Sequence, residues 1–189
     1  MLLEIPADGE SPTVPGAEGT ATPRTLERIA DYEYAAPGGL RWLTIVEPYA
    51  WRAGETEVAH GGTVYEQISP PGGWLSGSGV QRGSPPIGGA VLNVVMDVDH
   101  GALDLFHGWY DEEHLPRLVQ VPGIDAARRF RAVAGSRPGE GRERFLALYE
   151  LRDADVVASD EFAGASVMTP RTEQVVARLS WASQLYRAR

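Results

Sequence analysis

Two hydrophobic periods alternate along the second half of the chain, and each predicts a different kind of element. Runs rich in β-branched and aromatic residues, bounded by Gly and Pro, predict strands at 90–98, 126–133, 145–151 and 180–187. Apolar positions at helical spacing predict helices at 102–121, 155–162 and 169–179. Thr169 followed by Pro170 is typical of a helix start. The resulting order, β-α-β-β-α-β, is that of a split βαβ unit.

The first half is patterned more weakly and repeats part of the second. Residues 1–23 are rich in Gly, Pro, Ser and Thr and predict a flexible N-terminal segment. In 24–84 the run Arg41–Glu47 matches Arg144–Glu150 in residue type, position by position. This match predicts that 24–84 is a degenerate copy of the complete unit in 85–189. The alternative is that any two amphipathic strands resemble each other over seven positions. Residues 70–89 have the Gly and Pro content of a linker.

Composition excludes several classes of function. The net charge of -9 argues against nucleic acid and against an anionic membrane surface. The chain has no Cys, and all its basic residues other than histidine are Arg, so neither thiolate nor lysine chemistry is available. No apolar run reaches the length of a membrane span, and the N-terminus lacks signal-peptide character, so we expect a cytoplasmic protein.

Aromatic, acidic and imidazole side chains are concentrated in one stretch of the first predicted helix. This stretch is 109–116, Trp-Tyr-Asp-Glu-Glu-His-Leu-Pro. On a helical wheel His114 and Tyr110 fall on the apolar face, one turn apart and directed at the sheet, whereas Asp111 and Leu115 point elsewhere. An imidazole can exchange a proton near neutral pH, and a phenol can donate a hydrogen bond to a developing oxyanion. The alternative is a half-buried histidine that only holds the helix on the sheet.

Other side chains are candidates for substrate contact. Trp109, Glu113 and Phe106 lie near the same helical face, although packing is the favoured interpretation of Trp109 and a solvated surface charge that of Glu113. Alternation in the strands places Asn93 and Asp97 on the face opposite the helices, with Phe145 and Tyr149 on that same face. His114 and Asn93 would then lie on opposite sides of the sheet. The candidate substrate-binding residues are therefore Trp109, Glu113, Asn93, Asp97, Phe106, Phe145 and Tyr149.

Metal, nucleotide and anion sites find less support. No His, Asp or Glu pair shows a recognised metal spacing, so we expect no metal. No Gly-x-Gly-x-x-Gly or P-loop pattern occurs, so we expect no nucleotide cofactor. The run Arg128, Arg129 and Arg131 could hold a carboxylate or phosphate, but a solvated strand face paired with surface acids is the favoured interpretation.

The motif in 109–116, the following Val-Pro-Gly-Ile, the Arg-rich strand and the strand Phe145–Leu151 together resemble the dimeric α+β barrel superfamily, and its EthD-like branch in particular. The resemblance covers about 90–189. It implies two ferredoxin-like units whose sheets join into one barrel, usually across a homodimer. Here the long first half could instead close the barrel within one chain.

The wider superfamily contains small cofactor-free enzymes, and two activities follow as expectations. The first is proton transfer on a hydrophobic, polyketide-like or aromatic molecule, leading to cyclisation, dehydration or isomerisation, with His114 as acid and base and Tyr110 as hydrogen-bond donor. The second is a cofactor-independent monooxygenase reaction. A non-catalytic metabolite-binding protein is the third hypothesis.

Overall fold

The computed structural model describes residues 2–4, 24–28, 42–45, 63–83, 85–135 and 138–188. The strands in this part of the chain are β1 Leu2–Glu4, β2 Arg24–Arg28, β3 Trp42–Ile45, β4 Thr63–Ser69, β5 Gly73–Ser76, β6 Gly79–Arg82, β7 Ala90–Asp99, β8 Ile124–Gly135, β9 Arg142–Leu151 and β10 Leu179–Ala188. The helices are α1 Leu103–Trp109, α2 Leu115–Leu118, α3 Asp160–Ala165 and α4 Pro170–Val176. Short 3-10 helices occupy His100–Ala102 and Ala154–Ala158, and Tyr110–His114 is a π-helical turn.

The described strands form one antiparallel sheet that closes on itself. Its order is β1-β4-β8-β9-β7-β10-β2-β3, with the β5–β6 hairpin attached to β8. The two ends of this order, β1 and β3, lie in contact. The barrel therefore closes within one chain. The predicted flexible segment lies largely outside the described residues, and its Leu2–Glu4 part is strand β1.

Strand order also shows that the barrel is built from two related halves. In the second half the order is β8-β9-β7-β10, the arrangement of a ferredoxin-like unit. Because β3 and β1, at the two ends of the sheet order, lie in contact, the first half can be followed across them as β2-β3-β1-β4. This is the same order as in the second half. In this correspondence β3 takes the place of β9, and the repeated sequences Arg41–Glu47 and Arg144–Glu150 coincide with these two strands. The predicted fold, a degenerate first repeat fused to a complete second repeat, is confirmed. The boundaries at residues 23 and 84 stay predictions.

The two faces of the sheet carry two separate cores, and one strand was assigned to the wrong face. In β7, Leu92 and Met96 lie under the helices as predicted. Because Met96 pairs with Phe145 and Leu92 with Tyr149, these β9 aromatics also lie under the helices and not in the barrel. Leu146 and Leu148, predicted to lie under the helices, fill the barrel interior together with Tyr65, Val91, Phe130 and Tyr186. Both faces of β9 are apolar, so its alternation does not indicate which one meets the helices.

A π-helical turn interrupts the first helix and changes its phase. The backbone N–H of Leu115 donates to the carbonyl of Tyr110, five residues earlier, which adds one residue to the turn. Beyond this turn a wheel of constant pitch no longer applies. Leu115, predicted to point away from the sheet, is buried at 2% exposure. Pro116 lies in the first turn of α2, where its missing N–H is tolerated.

The predicted linker at 70–89 is largely ordered. Strands β5 and β6 form a hairpin within it, and Leu75 pairs with Ala127 of β8. The Gly and Pro residues that suggested a linker serve the turns: Gly72 and Gly79 have positive φ angles, at 61° and 101°. Within the part of the chain that the structure describes, no helix is long and apolar enough to span a bilayer.

Thr169 caps α4 and also ties it to the π-helical turn. Its Oγ1 accepts from the backbone N–H of Thr172 at 3.1 Å and donates to Glu113 Oε1 at 2.6 Å. We predict that Thr169→Ala lowers the free energy of unfolding by about 1–2 kcal/mol, because one cap and one hydrogen bond are lost. Thr169→Ser retains the hydroxyl and is the matched control. Urea denaturation at constant m-value measures both, and an alanine variant as stable as the serine variant would contradict the assignment.

Candidate functional site

A cavity of about 430 Å³ opens where the first helix meets three strands of the barrel. Strand β4 forms one wall, α1 and the π-helical turn a second, and β8 with β9 the floor. The lining residues are Ile68, Ser69, Leu103, Asp104, His107, Asp111, Arg129, Arg131, Glu143 and Phe145. Three of these residues are apolar and the other seven are polar or ionisable, so the cavity is more polar than most small-molecule sites.

Arg129 is the central polar group of this cavity and is almost completely buried, at 1% exposure. Its Nη1 donates to Asp111 Oδ1 at 2.7 Å, and its Nη2 donates to His107 Nδ1 at 2.9 Å. The guanidinium carbon lies 4.3 Å from the ring centroid of Tyr110 and 5.0 Å from that of Phe106. A buried cation is tolerated because it is paired and lies against aromatic faces.

The favoured interpretation of the arginine run as a solvated face was therefore wrong for two of its three members. Arg128 is buried at 4% exposure on the side of the barrel interior, with Glu150 at 3.9 Å. Arg129 is buried on the helix side, and Arg131 is exposed, with Glu66 at 3.5 Å. The sequence pattern failed because the partners of the buried arginines lie far away along the chain.

His107 forms part of the cavity wall. Its ring packs edge-on against Phe106 and Phe145, with centroids 5.3 and 5.2 Å away. Burial lowers the pKa of His107 from its usual value, and the positive charge of Arg129 lowers it further. The imidazole is therefore neutral at physiological pH.

Asp111 joins three elements at the cavity. Besides Arg129 of β8, its Oδ1 accepts a hydrogen bond from Ser69 Oγ of β4 at 2.9 Å. Its side chain remains 47% exposed, so this carboxylate is accessible from the cavity. The helical wheel had directed Asp111 away from the site, yet the i, i+4 spacing of His107 and Asp111 was the sequence signal that could have located this pair.

His114 lies deeper in the helix packing and is not among the lining residues of this cavity. Its ring stacks on Trp109 at 4.2 Å and meets Tyr110 edge-on at 5.1 Å. Its Nδ1 is buried and has no hydrogen-bond partner among the described residues. Burial lowers the pKa of His114 to about 3, with smaller contributions from Arg117 and Arg129.

Tyr110 is fully buried, and its hydroxyl points into the core under the helices. It donates to Met96 Sδ at 3.4 Å and interacts with the hydroxyl of Tyr149. Burial raises the pKa of both phenols above their usual value, that of Tyr149 strongly. Both side chains are therefore protonated at physiological pH.

The remaining predicted contact residues are distributed over three places. Phe145 lines the cavity and Phe106 lies behind His107. Trp109 Nε1 donates to Thr172 Oγ1 at 3.1 Å, so Trp109, like Glu113, connects the helix to α4. Asn93 and Asp97 lie on the opposite face of the sheet, as predicted, where Asp97 accepts two hydrogen bonds from Arg144 at 2.7 and 2.8 Å.

The sequence prediction missed the combination of His107, Asp111 and Arg129. The structure brings these three side chains together from α1, the π-helical turn and β8, and it separates them from Asn93 and Asp97 by the thickness of the sheet. Within the described ranges, no group of three or more His, Asp or Glu side chains is arranged to hold a metal ion.

Fold and cavity together define the chain as a single-chain α+β barrel of two ferredoxin-like halves. No family model matches it, and no curated protein matches it in sequence. Among solved structures it is similar to one described as an anthrone oxidase-like protein, with a TM-score of 0.56 and 12% sequence identity. The match covers 100% of this chain and 90% of that chain. At this identity the similarity shows the fold alone.

The low pKa of His114 predicts acid sensitivity of the fold. The unfolded chain binds a proton at this residue below about pH 6.5, whereas the folded chain resists protonation down to about pH 3. The free energy of unfolding should therefore fall by about 1.4 kcal/mol for each pH unit below 6.5 on account of this group. Denaturation of His114→Phe between pH 6.5 and 5 should lack this contribution.

His100, whose side chain is 56% exposed, provides the control for this measurement. His100→Phe should retain the steep wild-type slope, because the substitution leaves His114 in place. A His114→Phe slope equal to that of wild type would show that the imidazole at 114 is not buried in a neutral state.

Proposed function

We propose that this protein is a cofactor-free enzyme that forms an enolate from a hydrophobic, carbonyl-bearing aromatic or polyketide-like molecule. We place it with the EthD-like α+β barrel proteins. The observation that carries the proposal is the buried Arg129, which holds His107 and Asp111 at the wall of a cavity of about 430 Å³. A fixed cation beside a neutral imidazole is suited to an oxygen on which negative charge develops.

Loss of a proton from a carbon next to a carbonyl, or from one conjugated with it through aromatic rings as C10 of anthrone is, places negative charge on the carbonyl oxygen. Arg129 reduces the energy of this charge most effectively because it is preorganised and shielded from water. Three carboxylates on the cavity wall, those of Asp104, Asp111 and Glu143, are groups that can accept the proton. Leu103 and Phe145 supply apolar contact for the ring system of the substrate.

The enolate can react in two ways, without O2 or with it, and these correspond to the two proposed activities. Without O2 there are three outcomes. Return of the proton at another carbon is isomerisation, expulsion of a β-hydroxyl is dehydration, and attack on a second carbonyl is cyclisation. Alternatively the enolate reduces O2, as in a cofactor-independent monooxygenase. For anthrone this oxidation is balanced as anthrone plus O2 giving anthraquinone plus water. The anthrone oxidase-like structural neighbour favours this second fate.

A second pair of residues, His114 and Tyr110, remains a candidate for the proton transfer. The buried Nδ1 of His114, which has no hydrogen-bond partner among the described residues, supports it. An imidazole of such low pKa is a weak base, and a fully buried phenol is reached by substrate only if the aromatic packing opens. The cavity at His107 therefore has the stronger support.

Anthrone in D2O tests the proposal directly. Under anaerobic conditions the protein should accelerate exchange of the C10 protons of anthrone, measured by proton NMR. With oxygen present, equal amounts of O2 consumed and anthraquinone formed indicate the monooxygenase activity. Saturable binding without exchange or oxidation would instead indicate a binding protein and contradict the enzyme.

The same assay compares the two candidate histidines. We expect His107→Leu to lower the exchange rate by roughly 100-fold, the usual effect of removing one oxyanion donor. His114→Leu should retain most of the exchange rate, and the exposed His100→Leu is the control for nonspecific effects. Loss of exchange in His114→Leu with retention in His107→Leu would move the reaction to the His114–Tyr110 pair.

A further inference from the structure

The hydrogen bond between Arg129 and His107 fixes which nitrogen of the imidazole carries the proton. Nη2 of Arg129 lies 2.9 Å from Nδ1 of His107. A guanidinium has only donors, so Nδ1 is the acceptor and carries no proton. A neutral imidazole in this position therefore carries its proton on Nε2.

Arg129 is held in a fixed position, so the protein and not the solvent determines the tautomer of His107. The side chain is 1% exposed, its Nη1 donates to Asp111 Oδ1 at 2.7 Å, and its guanidinium carbon lies over the ring of Tyr110 at 4.3 Å. Rotation of the guanidinium away from His107 would leave a buried cation with fewer partners, which is costly.

The charges around His107 leave the ring neutral. Burial and Arg129 of β8 lower the pKa of His107, whereas Asp104 of α1, Asp111 of the π-helical turn and Glu143 of β9 raise it by smaller amounts. The net direction is downward from the usual value. A neutral ring is consistent with the geometry, since a second proton on Nδ1 would face the guanidinium.

Nε2 is the nitrogen available to a ligand. No described residue accepts a hydrogen bond from it, and His107 is part of the cavity wall beside Phe145. The proton on Nε2 therefore has no protein acceptor in the described part of the chain and is free for an oxygen atom bound in the cavity.

We infer that His107 donates a hydrogen bond from Nε2 to the carbonyl oxygen of the ligand, and that Arg129 is the positioning residue that holds the imidazole in this tautomer. The inference rests on the proposed function and refines it. His107 then stabilises the enolate and does not remove the proton, which passes to a carboxylate of the wall. The ligand class is narrowed to molecules that present an oxygen acceptor, such as a ketone, enolate or phenolate, at this wall.

The tautomer is measured without any substrate. In protein labelled with 15N-histidine, long-range proton–nitrogen spectra distinguish the Nε2–H ring from the Nδ1–H ring and from the imidazolium. We expect the Nε2–H pattern for His107 at pH 7.5, assigned by comparison with His107→Gln. An Nδ1–H or doubly protonated His107 would overturn the inference, whatever the protein does to anthrone. Arg129→Met, where it folds, should give a mixture of tautomers.

Two substitutions at 107 separate donation from proton removal. Gln retains an N–H donor at similar reach but cannot take a proton, whereas Leu can do neither. We expect His107→Gln to keep the anthrone exchange rate within about 10-fold of wild type and His107→Leu to lose roughly 100-fold. Equal loss in both variants would overturn the donor role.

Failure of this inference and failure of the proposed function give different results. If the wild-type protein binds anthrone but catalyses no exchange, the enzyme is contradicted. The donor role is then judged by the Nε2-bound proton of His107, whose NMR shift should change on saturation with anthrone. An unchanged shift at saturation would overturn the donor role, even if another residue proved to catalyse exchange.

Discussion

The arrangement of the helix on the barrel depends on one buried positive charge. Taking a guanidinium out of water costs several kcal/mol unless it is paired and its donors are satisfied. Nη1 and Nη2 of Arg129 have hydrogen-bond partners only when Asp111 and His107 lie beside them, next to the ring of Tyr110, whereas Nε has no partner among the described residues. The same contacts fix the rotation of the first helix relative to β8. The same contacts of Arg129 therefore stabilise the fold and form the wall of the cavity.

The π-helical turn contributes two members of this set of contacts. At its start Tyr110 enters the core while Asp111 reaches both Arg129 and Ser69. In the same turn His114 stacks on Trp109, and Glu113 binds Thr169 at the start of α4. Turns of this type are frequent at functional sites because they redirect side chains without ending the helix. Here the turn separates an accessible polar group, at 111, from a packed aromatic group, at 110 and 114.

Much of the fold could be predicted from periodicity, and the failures have physical causes. The strands of the second half and the match of β3 to β9 were predictable because short-range alternation and residue type carry that information. The orientation of β9 was not, since its two faces are both apolar and only pairing with β7 decides between them. Burial of Arg129 depends on Asp111 and His107, which lie 18 and 22 positions away in the sequence. The π-helical turn left no signal in the spacing of apolar residues, so Leu115 was misplaced.

A double-mutant cycle on Arg129 and Asp111 tests the central claim most directly. Free energies of unfolding are measured for wild type, Arg129→Met, Asp111→Asn and the double variant, at neutral pH and low and high salt. A hydrogen-bonded pair whose arginine is buried and whose carboxylate is partly exposed predicts a coupling energy of about 1 kcal/mol or more that changes little with salt. Additive effects, within about 0.3–0.5 kcal/mol, would show that the two side chains do not depend on each other and would contradict the account.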